Sequence, residues 1–340
     1  MRIALVSSTW TTHRRSAREN TCEIRAQELA SLGHEVHAIT TGDPQVGVRQ
    51  DFDGLAVHHC EGQPGRWSGR FAEECRAICE AIKPDILHLE DFEPTLRWWE
   101  SRPGCVRRIG CTLHESLLGW LKTIDALYAH DKIRRIPSEL VGDARLRAEL
   151  AAVLSFDHVA VTCRKDLMDG EQYYPGAKLA LVYNPVGSRF FRPRSDKMPQ
   201  RPCFLVASSP FTHRHGHRDA ERAGELAGYA VQVVAGSGPN KVPGLLDAST
   251  GAIVPSYQTW GLSMSACEAL ARCRPAIVYA GTGIAYEEFR GLEGLVVVNP
   301  GDIEAMAAAM QLWMPRVEYG VADRFRPEIH TTKWLELMES

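Results

Sequence analysis

The stretch Pro255-Ser-Tyr-Gln-Thr-Trp-Gly-Leu-Ser-Met-Ser-Ala-Cys-Glu268 carries the residue types best suited to chemistry. It reads as a strand end, a turn and a helix opening on Gly261-Leu262. A turn feeding a helix N-terminus offers unpaired N–H groups and a positive dipole end, which suit a phosphate. Gly261, Leu262 and Ser263 would supply backbone and hydroxyl donors there. Glu268 lies about one and a half turns into that helix, close enough to the same mouth to accept from a sugar hydroxyl. Phosphate plus sugar on one helix suggests a nucleotide ligand. The plainer alternative is a surface Glu early in a helix, which the dipole favours in any case.

Such a mouth needs elements to hold it, and the chain alternates short apolar runs with longer amphipathic ones. Candidate strands are Ile3–Ser7, Glu35–Thr40, Leu55–His59, Asp85–Leu89, Arg107–Thr112, Asp157–Thr162, Leu179–Tyr183, Cys203–Ala207, Tyr229–Ala235, Ala252–Val254, Pro275–Tyr279 and Leu295–Val298. Helical patterns lie between them at Glu19–Leu32, Arg70–Ile82, Ser138–Leu154, His217–Leu226 and Ile303–Trp313. The alternation argues for an α/β fold of doubly wound parallel sheets. A Pro-, Gly- and charge-rich break from Asn184 to Pro202 reads as a linker between two halves. The expected division is 1–187, 188–320 and a terminal segment 321–340, where Ile329–Met338 would form a helix returning to the first half. Ligands in such folds bind beyond the carboxyl ends of the strands, which here means the cleft between the halves.

The totals agree with that plan. A chain of 340 residues is long for a single core, and 44% apolar with 24% charged residues is ordinary for a globular protein. The net charge of −3 gives no overall reason to expect nucleic acid or a membrane surface. No apolar run is long enough to span a bilayer, and Met1-Arg-Ile-Ala-Leu-Val-Ser lacks a signal peptide's architecture, so the expected location is cytoplasmic. The ten cysteines are scattered without a CxxC pair and read as buried free thiols.

Six further segments fall in an order that resembles the family 4 glycosyltransferases. Gly33-His-Glu-Val36 looks like that family's entry to the second strand, and Lys83-Pro-Asp-Ile-Leu-His88 is similar to its "KPDVVH". Asn184-Pro-Val-Gly-Ser-Arg-Phe-Phe-Arg-Pro193 looks like "NGVDxxxFxP", and Gly236-Ser-Gly-Pro239 resembles "GxGP". Glu268-Ala-Leu-Ala-Arg-Cys-Arg-Pro275 resembles "EAMACGxP", and Asn299-Pro-Gly-Asp-Ile-Glu-Ala-Met306 the closing "xxPxDxxALA". The resemblance implies the GT-B architecture, two Rossmann-like domains facing across a cleft. It also implies retaining transfer of a sugar from a nucleoside diphosphate sugar to an acceptor, with no cofactor and no metal. Gly236, Gly238 and Pro239 would then line the nucleotide, Glu268 would hold its ribose, and His114 would bond the transferred sugar. A satisfied core histidine is the alternative for His114.

Three departures bear on the site. The family pattern has a first acid separated by seven residues from the one at Glu268; counting back reaches Trp260, while aligning on Gly261 reaches Gln258, which can still bond a hydroxyl. Gly261 and Glu268 stand two residues farther apart than usual, so the helix must start later or bulge. Where relatives grip the diphosphate with Arg and Lys, this chain has Ser208 or Ser209 and His215, with Arg214 beside it as a cation. His213, His215 and His217 alternate, but no acid or thiol stands near them, which favours phosphate contact over a metal. In the first loop, Trp10, His13, Arg14, Arg15 and Arg18 replace a Gly-Gly pair and would line the acceptor side, suggesting an anionic acceptor; a solvated basic loop is the alternative. Other readings are a transferase acting on nucleic acid, a non-catalytic nucleotide-sugar binder, and an epimerase or phosphorylase, for which no acid–base pair is visible.

Overall fold

The computed structural model describes residues 1–10, 17–42, 49–52, 54–114, 119, 123, 127, 129–130, 143–191, 201–206, 216–234, 240–257, 261–285, 291–312 and 323–340, with backbone alone at 17–20, 50–52 and 143. Among these residues two sheets form. The first contains β1 (Arg2–Val6), β2 (Glu35–Thr41), β3 (Arg49–Phe52), β4 (Leu55–Cys60), β5 (Ile86–Leu89), β6 (Arg108–Leu113), β7 (His158–Val161) and β8 (Leu179–Leu181). The second contains β9 (Cys203–Val206), β10 (Ala230–Val233), β11 (Gly251–Val254), β12 (Ala276–Tyr279) and β13 (Leu295–Val298). The helices are α1 (Ala17–Ser31), α2 (Gly69–Ile82), α3 (Asp143–Ser155), α4 (Arg164–Tyr173), α5 (His217–Ala227), α6 (Val242–Asp247), α7 (Met264–Ala271), α8 (Ile303–Gln311) and α9 (Pro327–Glu339).

The first sheet runs β3-β4-β2-β1-β5-β6-β7-β8 and the second β10-β9-β11-β12-β13. Every pairing is parallel except β3 with β4. All twelve expected strands are present, with ends moved by at most two residues. The antiparallel β3 was not expected, because Arg49-Gln-Asp-Phe52 carries no apolar run. In both sheets the strand order reverses direction, between β1 and β5 and between β9 and β11, and these switch points open the crevices in which such folds bind ligands.

Burial follows from the sequence. Central strands such as β5, Ile-Leu-His-Leu, are buried along their whole length, as a parallel sheet covered on both faces requires. One apolar cluster joins β1 and β2 to α1 and to Trp334 and Met338 of α9, so the terminal helix packs on the first sheet. The second sheet has its own cores. Leu127, from the stretch between β6 and α3, belongs to one of them, and the His130 ring lies 5.3 Å from Tyr257. Leu127 and His130 therefore reach the second sheet. Eight cysteines are buried, Cys203 is half-buried and Cys105 is exposed; all ten are free. The expectation of buried thiols thus fails at Cys105.

Candidate functional site

The helix after β11 does not open on Gly261. Its first turn begins at Met264 with Ser263 as the preceding cap residue, so the later start absorbs the two extra residues and makes Glu268 the fifth helical position. Gly261 adopts φ +86°, a left-handed conformation that suits glycine, and turns the chain so that its N–H faces the first half of the molecule. There Asp166, in the first turn of α4, takes the N–H with both oxygens at 3.0 Å. The Leu262 N–H donates to Thr162 Oγ1 at 3.3 Å, and that hydroxyl donates to Asp166 Oδ2 at 3.1 Å. Two of the donors expected to meet a phosphate are therefore engaged by the facing half. Thr162 follows β7 and Gly261 follows β11 by a few residues, so the carboxyl ends of both sheets converge here.

Ser263 makes no side-chain capping bond, and its hydroxyl has no partner among the described residues. Glu268 is only half-buried and likewise has no hydrogen-bond partner among them. Burial nevertheless pushes its carboxyl up to about 7, with the nearby Arg189 guanidinium pulling the other way. Arg189 belongs to a 3₁₀ turn, Ser188–Phe191, at the start of the linker. A carboxyl held this way gains from any ligand that offers it hydroxyl donors.

On the first sheet, His114 sits immediately after β6. Its Nε2 lies 3.1 Å from Glu90 Oε2, and its Nδ1 lies 3.4 Å from Asn184 Nδ2. The ionised Glu90 can only accept, so Nε2 carries a proton, and in the neutral ring Nδ1 is then the acceptor. Glu90 is fully buried and ion-paired to Arg25, which is 1% exposed and lies over the Trp334 ring. Burial alone would raise the Glu90 carboxyl, but the Arg25 charge and the His114 bond outweigh it and hold it well below the usual range. His88 is pushed down to about 3 by burial and stays neutral, bonded to Thr112 Oγ1 at 2.8 Å. Asn184 Oδ1 is buried without a partner among the described residues. A sugar hydroxyl replacing the Asn184 amide at Nδ1 would satisfy the same ring.

The remaining sequence candidates divide simply. Trp10 is 4% exposed and packed in the core of the first half, which leaves its ring little surface for an acceptor. His13, Arg14, Arg15, Ser209, Arg214, His215, Gly236, Gly238, Pro239 and Gln258 lie outside the described residues. No group of three or more His, Cys, Asp or Glu side chains suited to a metal occurs among the described residues. Sequence reading missed Arg25, Glu90, Thr162, Asp166, Asn184 and Arg189. Arg25 gave the clearest signal, since a charge on the apolar face of α1 must have a buried partner.

Two doubly wound sheets whose carboxyl ends meet at one junction define the class, and the solved structures agree. Sucrose-phosphate synthase from Thermosynechococcus elongatus matches with TM-score 0.80 at 17% identity, covering 99% of this chain and 98% of that one. HepE from Anabaena, in complex with UDP and glucose, matches at 0.72 and 11%, covering 100% and 99%. The catalytic domain of starch synthase IV from Arabidopsis thaliana, bound to ADP and acarbose, matches at 0.70 and 13%, covering 99% and 98%. The fold is GT-B. The model of Glycosyltransferase Family 4 matches residues 19–188, half of the 340. The chain belongs to that family and is a glycosyltransferase. A comparison with curated proteins gives no match. No described helix is long and apolar enough to cross a membrane.

Proposed function

We propose that this glycosyltransferase takes a sugar from a nucleoside diphosphate sugar and transfers it, with retention and without a metal, to an acceptor hydroxyl. The observation that carries the reading is the Glu268 carboxyl, unbonded among the described residues, on the same short helix α7 whose cap residue Ser263 also has an unbonded hydroxyl. Glu268 would accept from the ribose hydroxyls, while Ser263 and the N–H groups of the first turn would hold the diphosphate. The UDP and ADP bound by HepE and by starch synthase IV support that class of donor. His114 would present Nδ1 to a hydroxyl of the transferred sugar from the opposite half.

In the transfer, the bond from the anomeric carbon to the β-phosphate oxygen breaks, and one to the acceptor oxygen forms on the same face. The acceptor proton passes to the leaving phosphate. The protein's contribution is to hold the developing charge with fixed donors. An anionic acceptor is the reading that Arg14 and Arg15 support from the sequence. A non-catalytic nucleotide-sugar binder is the second reading, favoured by the engagement of the Gly261 and Leu262 N–H groups.

A thermal-shift screen of nucleoside diphosphates and their sugars, with and without EDTA, tests the donor. A true donor raises the melting point of the native protein, and EDTA leaves the shift unchanged. A shift that disappears with EDTA would remove metal independence, and no shift with any nucleotide would remove the donor assignment.

A further inference from the structure

The contact between α4 and the turn before α7 joins the two halves through side chain to backbone. Asp166 is fully buried and gives both oxygens to one N–H, 95 residues away. Thr162 gives its hydroxyl oxygen to the next N–H and its proton to Asp166. The Cys163 thiol lies 3.4 Å from the Asp166 N–H, so the same short turn also caps α4. The other side of the junction is equally tight. A Cβ placed on Gly283 would lie 2.5 Å from the Gly261 carbonyl oxygen and 2.7 Å from Cys163 Sγ. Glycine is needed there because the two halves leave no room for a methyl group.

We propose that Asp166, with Thr162, is a positioning residue for the donor: from the first half it clamps Gly261–Leu262, holds the cleft closed and fixes the entry of α7. The role assigned to α7 rests on the nucleotide-sugar reading given above. An N–H has one proton, so Gly261 and Leu262 cannot serve the clamp and a diphosphate together. The donor groups left for the ligand are the Ser263 hydroxyl and the N–H groups that follow it. Because Ser263 is separated from the clamped pair by a single peptide, its place in the cleft is set by Asp166. A binding site that exists only in the clamped form binds more weakly in proportion to the fraction clamped.

The test compares wild type with Asp166→Ala, Asp166→Asn and Gly283→Ala by small-angle scattering, by calorimetric titration with UDP, ADP and GDP, and by donor KM and kcat. Circular dichroism confirms that each variant is folded. Asp166→Ala removes both acceptors and should widen the scattering envelope, weaken nucleoside diphosphate binding by about tenfold or more and raise donor KM more than it lowers kcat. Asp166→Asn keeps one oxygen for the Gly261 N–H and should stay within about threefold of wild type. Gly283→Ala, which leaves Asp166 intact, should widen the envelope like Asp166→Ala. A fold support without a positioning role would lower the melting point and leave the dissociation constant unchanged.

The clamp is overturned if Asp166→Ala and Gly283→Ala both keep the wild-type envelope. The positioning role is overturned if Asp166→Ala binds nucleoside diphosphate as tightly as wild type, or more tightly because a competing carboxylate has gone. Failure of the wild type itself to bind any nucleoside diphosphate would overturn the nucleotide reading instead, and the scattering comparison would still decide the clamp.

Discussion

His114 Nε2 lies 3.1 Å from Glu90 Oε2, and Glu90 in turn is ion-paired to Arg25. This chain of three residues runs from α1 through the end of β5 to the end of β6, across the switch point of the first sheet. It fixes the ring of His114 from the buried side and leaves Nδ1 to face Asn184.

Breaking one member should cost far more than the pair contributes. Glu90→Ala strands the Arg25 charge in a buried site, and we expect a loss of about 3–5 kcal/mol in denaturant unfolding. Replacing both residues by apolar ones, Arg25→Met with Glu90→Leu, should recover most of that loss. The Glu90 carboxyl is depressed by folding, so its stabilisation is present above the unfolded value near 4.5 and is lost as pH falls through the lower folded value. Wild type should therefore lose stability below about pH 4.5 more steeply than the double variant.

Glu268 has the opposite sign. Burial raises its carboxyl to about 7, so folding favours the protonated form. The ionised side chain burdens the native state increasingly between about pH 4.5 and pH 7, and Glu268→Gln should relieve that burden. The melting-point gap between Glu268→Gln and wild type should open across this range and stay constant above it. Hydroxyl donors from a ribose favour the carboxylate, so donor binding should release up to one proton near neutral pH. Titration calorimetry in buffers of different ionisation enthalpy measures that release, which Glu268→Gln should abolish.

The two halves should contribute separately to catalysis. His114→Ala should lower kcat by about 10²-fold and leave nucleoside diphosphate affinity within about threefold, if the nucleotide is held on the second half as proposed. A large loss of nucleotide affinity would place His114 elsewhere in the account.

Cys105 is the exposed thiol of the ten, and burial raises Cys22, Cys75, Cys79, Cys111, Cys163 and Cys267 above the ordinary thiol value. Titration with a thiol reagent should give one fast equivalent that Cys105→Ser removes. The eight buried thiols should react only on unfolding, with the half-buried Cys203 in between.

The fold was legible because parallel strands buried on both faces must be continuously apolar, and such runs marked every strand except β3. An edge strand of Arg49-Gln-Asp-Phe52 pairs through its backbone and leaves no such mark. Ser263 and Glu268 stand out in the sequence because both fall at the cap and early turns of one short helix. Asp166 was not readable, since an acid in the first turn of a helix is explained by the helix alone. Its partner, Gly261, stands 95 positions away and is brought near only by the meeting of the two sheets. Glu90 was hidden for the same reason, since its partner Arg25 stands 65 positions away on α1.

The central claim is that Glu268 and the mouth of α7 hold a donor for glycosyl transfer. The most direct measurement is proton NMR of the purified protein with the nucleoside diphosphate sugar found by thermal shift and a panel of acceptors. The account predicts steady release of nucleoside diphosphate and a product with the donor's anomeric configuration, with turnover reduced about 10²-fold or more in Glu268→Ala that remains folded. Turnover unaffected by Glu268→Ala, or tight donor binding with no transfer to any acceptor, would contradict it.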